Sequence, residues 1–467
     1  MARSHYERLN ALDASFLEIE EPNARWHEGA VMVFDRGPLA APDGGVDAER
    51  ITRIYEALLD QVDRYRQRLA FVPWFDHPVW VDDPSFNLRY HIRHISLPAP
   101  GDERTLKRVC GYLLSQPLDL AKPLWEAWIV DGLEDDRFAL VSKTHHCMVD
   151  GASGMSIMAA LLKPEPYETI PAAAPWEARP APSGARLFAG ELERRVTAPL
   201  DLVKPLLHPR QALSDAWEVV SGLAESAKLS WSGVSDTVFN PESIGPHRRF
   251  DWASMPLSEV KEVKNRLGGT VNDVVLATAA GALGEFIRTH HGASGDLDFR
   301  VLVPVNIRSE HETRRLGNRV AMMMAELPVG ERDPRKRYDE VVTATSRLKR
   351  SNQARGVQWL QDFSDRVGGR LMVEVSRMVT RVRPFNVAIT NVPGPPIPLY
   401  LLGARLQGIY PMMPLFSNQA LGIAVMSCDG QVLWGLNSDW DSLPDLHDLV
   451  GHLQLSFEAL RKEAALL

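Results

Sequence analysis

Apolar positions recur at helical or strand periods along most of this chain. Ile51, Ile54, Leu58 and Val62 step by three or four residues and place one apolar face inward, with Asp47 set to cap the helix they predict. Leu106, Cys110, Leu113 and Leu114 predict a helix over 105–115. Val260, Val263 and Leu267 predict another, opening at Leu257-Ser258 and stopped by Gly268-Gly269. Asn272-Asp273 sits where the next helix opens and continues through Leu276, Ala280 and Leu283. Long helices are expected over 334–351 and 357–379, and an amphipathic one follows Leu443-Pro444.

Strands are expected at 30–34, 78–81, 88–95, 125–130, 298–305, 319–327 and 385–390, the last ending where Pro393 and Pro395 cannot donate to a ladder. The run 138–144 is apolar without strict alternation, the pattern of a strand covered on both faces. Asp429-Gly430 between 421–427 and 432–436 is a hairpin signal. From 163 to 185, Pro164, Pro166, Pro171, Pro175, Pro180 and Pro182 forbid a continuous helix and predict an extended linker. The stretch 200–229 then reads as helical and as a connection between units. Helices and strands interleave in both halves, which predicts an α/β layered architecture.

Composition narrows the class. At 467 residues the chain is too long for one ordinary core, and two domains are the natural expectation. Apolar content of 45% and charged content of 24% are those of an ordinary globular protein. The net charge of −8 argues against nucleic acid as a partner, since such binding rests on neutralising phosphates. Cys110, Cys147 and Cys428 have neither metal-site nor CxxC spacing, and they read as reduced cytoplasmic thiols. The first residues do not read as a signal peptide, and the longest uncharged apolar run, near 274–284, is about half a bilayer span. The expectation is a cytoplasmic protein, soluble or peripheral on the inner membrane face or on lipid inclusions.

Candidate chemistry gathers where 138–144 delivers His145 and His146 into a turn, with Asp150 and Gly151 closing it. A histidine at a strand end with a carboxylate nearby is a common way to build a general base. A structural histidine, or two metal ligands at helical spacing, fits the same residues. No third ligand stands in a recognisable local frame, so no metal is expected. No Gly-rich phosphate loop is present, which disfavours nucleotide hydrolysis and Rossmann redox chemistry. Cys147 beside the histidines reads as packing.

His145-His146-Cys147-Met148-Val149-Asp150-Gly151 resembles the HHxxxDG signature of the chloramphenicol acetyltransferase and condensation-domain superfamily of acyltransferases. Further segments resemble the bacterial wax ester synthase/acyl-CoA:diacylglycerol acyltransferase family: Leu9-Asn10-Ala11-Leu12-Asp13-Ala14-Ser15-Phe16-Leu17, Lys122-Pro123-Leu124-Trp125-Glu126, Asn272-Asp273-Val274-Val275-Leu276-Ala277 and Asn391-Val392-Pro393-Gly394-Pro395. They lie in the family's order and span nearly the whole chain. One departure stands out. Where the family often carries Met-His-Val-Gly, this chain has Trp26-His27-Glu28-Gly29, and a charge there is expected to alter a pocket wall.

The resemblance implies two acetyltransferase-like subdomains, each a mixed sheet with helices, over 1–163 and 246–467, joined by a Pro-rich linker and connecting helices at 164–245. The active-site channel would run between them. It implies an O-acyltransferase moving a long-chain acyl group from acyl-CoA, a co-substrate and not a bound cofactor, to a fatty alcohol or diacylglycerol. A carrier-dependent condensation enzyme and a non-catalytic lipid- or metal-binding relative are the alternatives. By motif position His146 is the base, His145 its supporting neighbour, and Asp150 orients the turn or ring. Asn272, with Asn391 and Thr390, is a candidate for substrate binding or oxyanion polarisation, and Gly151 for substrate binding. Read as structure alone, Asn272 would be a helix cap and Asn391 a turn residue.

Overall fold

The computed structural model describes residues 5–42, 44–148, 160–203, 233–292, 297–306, 320–350 and 383–466. Asp150 and Gly151, the expected helix at 357–379 and most of that expected at 200–229 lie outside them. Two six-stranded mixed sheets dominate, with a three-stranded sheet beside the first.

The first large sheet runs, edge to edge, Tyr400–Leu401, Ala404–Met412, His27–Asp35, Arg137–His145, Trp125–Leu133 and Ile92–Ser96. Its pairs are antiparallel except the last, Ile92–Ser96 with Trp125–Leu133. Phe138, Ala139, Leu140 and Val141 are all buried, as expected for a central strand covered on both faces. The second sheet runs Val320–Glu326, Arg300–Asn306, Val387–Pro393, Leu421–Cys428, Gln431–Asp439 and Arg248–Pro256. Val387–Pro393 is parallel to both of its neighbours. Asp429 and Gly430 close the hairpin with φ of 42° and 74°, the left-handed pair that a two-residue turn requires.

Several expectations are corrected. The expected unit at 246–467 does not keep its strands together: Tyr400–Leu401 and Ala404–Met412 cross to the first sheet, the latter pairing with His27–Asp35. The expected strand at 88–95 is a helical turn, Leu88–His91, followed by Ile92–Ser96, because the Asn87 side chain accepts from the Arg89 N–H and caps the turn. An unexpected helix, Gly184–Val203, begins just beyond Pro182, and of the helix expected over 200–229 only its first four residues are described. The strand expected to end at residue 390 continues through Asn391 to Pro393, held by its parallel register with Leu421–Cys428. Asn391 is therefore a strand residue and not a turn residue.

Helix Glu103–Ser115 joins the halves. Its Leu106, Cys110, Leu113 and Leu114 share one core with Val31 and Val141 of the first sheet and with Phe250 and Trp252 of the second. Gly111 permits the approach, since a Cβ there would lie 2.6 Å from the Arg248 carbonyl oxygen. The linker is anchored, not loose: Arg179 grips Asp82 through Nε and Nη2, both at 2.7 Å. No single helix among the described residues is long and apolar enough to cross a membrane. The nearest pair, Leu257–Leu267 and Val271–His290, bends by 97° and lines a core.

Candidate active site

Strand Arg137–His145 ends in a turn pinned by its own backbone. The His145 N–H donates to the Leu124 carbonyl at 2.9 Å and the His146 N–H to the Trp26 carbonyl at 2.7 Å. The strand closes at His145 and His146 opens a single 3-10 turn, His146–Met148, so the two side chains meet different surroundings. His145 is fully enclosed at 0% exposure, whereas the His146 side chain is 32% exposed.

His145 is locked from both sides. Its Nδ1 accepts the Cys147 N–H at 3.1 Å, which leaves the proton of the neutral ring on Nε2. That Nε2 makes no hydrogen bond among the described residues but lies 3.5 Å from a carboxylate oxygen of Glu20, which also faces Arg25 at 3.4 Å. Cys147 is buried, and burial pushes its thiol well above the ordinary range, with Asp13 and Glu20 adding to the rise. The reading of Cys147 as packing fits this inert setting.

His146 has the opposite character. Its Nδ1 lies 2.7 Å from Oε2 of Glu28, on the adjacent strand. The contact lies outside in-line hydrogen-bond geometry, so Glu28 acts on the ring through its charge, and the two form an ion pair once the ring is protonated. Burial would lower the pKa of this ring, but the Glu28 carboxylate outweighs burial, Asp13 adds to it, and the net shift is upward. Nε2 of His146 has no partner among the described residues. Phe16 and Trp26 wall the ring at centroid distances of 4.5 and 5.9 Å. Contacts then run from Trp26 to Phe416 at 5.0 Å and from Phe416 to Phe385 at 5.3 Å, which links the histidine turn to the second half.

The second half holds a separate polar cluster. Asn391 Nδ2 donates to Asn272 Oδ1 at 3.2 Å, so two residues singled out from the sequence meet in space. Thr390 precedes Asn391 on the strand and is half-buried. Asn272 is not the cap of its helix. The cap is Thr270, whose hydroxyl accepts the Asp273 N–H at 3.3 Å while the Asp273 carboxylate accepts the Thr270 N–H at 2.7 Å. A third bond, from Thr345 Oγ1 at 2.6 Å, fixes Asp273 further and leaves Asn272 out of the capping network. No hydrogen bond or ring contact among the described residues joins the asparagine pair to His146. Among the described residues, no three His, Cys, Asp or Glu side chains gather as metal ligands.

The sequence model of the wax ester synthase/diacylglycerol acyltransferase catalytic domain matches residues 9–275, and that of the family's C-terminal domain matches 316–461. This chain belongs to that family. A Mycobacterium tuberculosis protein carrying the name of a diacylglycerol O-acyltransferase is 33% identical over 458 residues, covering 94% of this chain and 87% of the relative. The solved wax ester synthase/diacylglycerol acyltransferase of Marinobacter aquaeolei superposes with a TM-score of 0.69 at 25% identity, covering 98% of this chain and all of that one. The starter condensation domain of rhizomide synthetase shares the fold at a TM-score of 0.57 and 12% identity, over 98% of this chain and 94% of that one. The expected α/β architecture of mixed sheets and helices is thus the fold of a wax ester synthase/diacylglycerol acyltransferase, and the chain is an acyltransferase of that family.

For this family member, sequence reasoning overlooked the surroundings of the histidines. Phe16 stood inside the first quoted motif, and Trp26 and Glu28 inside the departure from it, but the register that places them on His146 needed the fold. Glu20 and Phe416 carried no local signal.

Proposed function

We propose that this acyltransferase moves a long-chain acyl group from acyl-CoA to a fatty alcohol or diacylglycerol, by direct attack, with His146 as general base. The observation that carries the reading is the divided environment of His146, with Nδ1 2.7 Å from Glu28 and Nε2 without a partner among the described residues. Nε2 takes the hydroxyl proton as the alcohol oxygen bonds to the thioester carbonyl carbon. The tetrahedral intermediate then breaks its C–S bond, and the proton passes from His146 to the departing CoA sulfur. No acyl-enzyme is needed, because both substrates bind together in a channel between the two sheet units.

His145, enclosed and locked, shapes the turn and does not meet substrate. Asn272 supplies the oxyanion donor: its Oδ1 is occupied by Asn391, and its Nδ2 carries two N–H groups that no acceptor among the described residues takes. By motif position Thr390 and Gly151 are assigned to substrate binding and Asp150 to orienting the base. Acceptors that partition into lipid place the enzyme at a membrane face or lipid inclusion.

The test is CoA thiol release from a long-chain acyl-CoA, with a fatty alcohol or a diacylglycerol as acceptor. His146→Ala is expected to lower turnover about 100- to 10,000-fold, the usual worth of a positioned base, with little change in melting temperature. Turnover equal to the parent enzyme would remove His146 from the mechanism.

A further inference from the structure

Glu28 is the charged one of the two residues, with Trp26, at which Trp26-His27-Glu28-Gly29 departs from the family's usual Met-His-Val-Gly, and its carboxylate meets His146. We infer that Glu28 is a positioning residue for the reaction: its carboxylate, beside Nδ1 of His146, favours by its charge a proton on that nitrogen, and so presents Nε2 as the atom that takes the hydroxyl proton. The inference rests on the assignment of His146 as base.

Geometry carries it. Glu28 lies beside Gly29 and Ala30 on a strand whose register with Arg137–His145 sets Glu28 opposite Thr144 and His27 opposite His145. His146 is the first residue past the paired stretch, and its N–H is tied to the Trp26 carbonyl. Both anchors leave the His146 ring over the Glu28 side chain, and Phe16 and Trp26 prevent it from swinging away. Glu28 is itself only 27% exposed, so its charge is partly screened and partly felt.

The other charged groups do not duplicate this contact. Asp13, on helix Ala11–Glu18, acts on His146 through space but is engaged by Asn10 Nδ2 at 2.7 Å. Glu20 faces His145 and Arg25. His27, opposite His145, is kept well below the ordinary histidine range by burial and by the neighbouring cations Lys143, Arg25 and Arg248, with His145 contributing.

A carboxylate on the far nitrogen does two things for a base. It selects the tautomer, and it stabilises the imidazolium that exists only after proton transfer. Activity requires neutral His146 before the step, so the rate rises with pH through the pKa of that ring. Glu28 raises this pKa, and its removal moves the acid limb of the profile to lower pH while reducing the plateau.

The experiment measures kcat, KM for acyl-CoA and the pH profile of kcat/KM for the parent, Glu28→Gln and Glu28→Asp, alone and in a His146→Ala background. Glu28→Gln is expected to lower kcat about 10- to 100-fold, less than loss of a fully buried triad carboxylate, with KM near the parent value. Its acid limb shifts to lower pH, Glu28→Asp recovers part of both effects, and no further loss appears once His146 is gone. If His146→Ala stops turnover while Glu28→Gln keeps the parent kcat and acid limb, the role of Glu28 is overturned and the base stands. If His146→Ala turns over normally, the base itself falls, and the role of Glu28 with it.

Discussion

At the end of strand Arg137–His145 and at the start of helix Val271–His291, neighbouring residues divide structure from chemistry in the same way. In the first sheet His145 is held in the turn through Nδ1, while Nε2 of His146 has no partner among the described residues. In the second half Asp273 is consumed by the cap, while Asn272 Nδ2 donates to no acceptor among the described residues. The electrostatics differ. The histidine turn is charged and aromatic, with Glu28 and Glu20 each facing one ring. The asparagine cluster is a neutral amide pair. A group that must gain a proton needs a carboxylate partner to stabilise the charge it acquires, whereas a group that only donates hydrogen bonds changes no charge and needs none.

The largest effects that test this division lie within the first sheet. Against the activity loss predicted for His146→Ala, His145→Ala is expected to act mainly on stability. It empties a fully enclosed site and strips the Cys147 N–H of its acceptor, for a combined loss of about 2–4 kcal/mol. Urea unfolding beside turnover at low temperature separates the two. A His145→Ala variant that unfolds like the parent but has lost all turnover would mean that His145 touches the reaction.

Next comes the asparagine pair. Asn272→Asp replaces the donor NH2 with an acceptor, and turnover is expected to fall by about 100-fold or more, the scale of one lost oxyanion donor. Because Thr270 is the cap, neither Asn272→Asp nor Asn272→Ala removes the capping bond, and both are expected to melt near the parent temperature. Asn391→Ala frees Asn272 Oδ1 and is expected to cost less, by letting the amide rotate. Full turnover in Asn272→Asp would move the search for the oxyanion donor to Thr390 and Asn391.

What the sequence disclosed follows from how local each feature is. The Asp47 and Asp102 caps and the Asp429-Gly430 turn are settled within a few residues, and Asp47 and the turn were read directly. The proposed site residues His146, Asn272 and Asn391 rest on motif resemblance, and only the fold showed that the two asparagines touch. Strands Arg248–Pro256 and Ala404–Met412 were not foreseen, because their partners Gln431–Asp439 and His27–Asp35 lie far along the chain. The same reason hid the contact of Glu28 with His146. A charge beside buried His27 looked like a pocket wall until strand register placed it on the neighbouring ring.

The smallest effect is the sharpest test of the division in the second half. Thr270→Ala removes the hydroxyl that accepts the Asp273 N–H and breaks one arm of the capping box. The expected cost is about 1 kcal/mol, and Thr270→Ser, which retains the hydroxyl, is expected to restore it. Asn272 sits in the first turn of the same helix, so fraying there displaces its amide. Turnover of Thr270→Ala is therefore expected to fall more steeply with temperature than that of Thr270→Ser and to return on cooling. Melts and rates for Thr270→Ala, Thr270→Ser and Asn272→Ala, taken together, decide the matter. Should Thr270→Ala melt like the parent while Asn272→Ala loses about 1 kcal/mol, the cap belongs to Asn272, and its amide is structural.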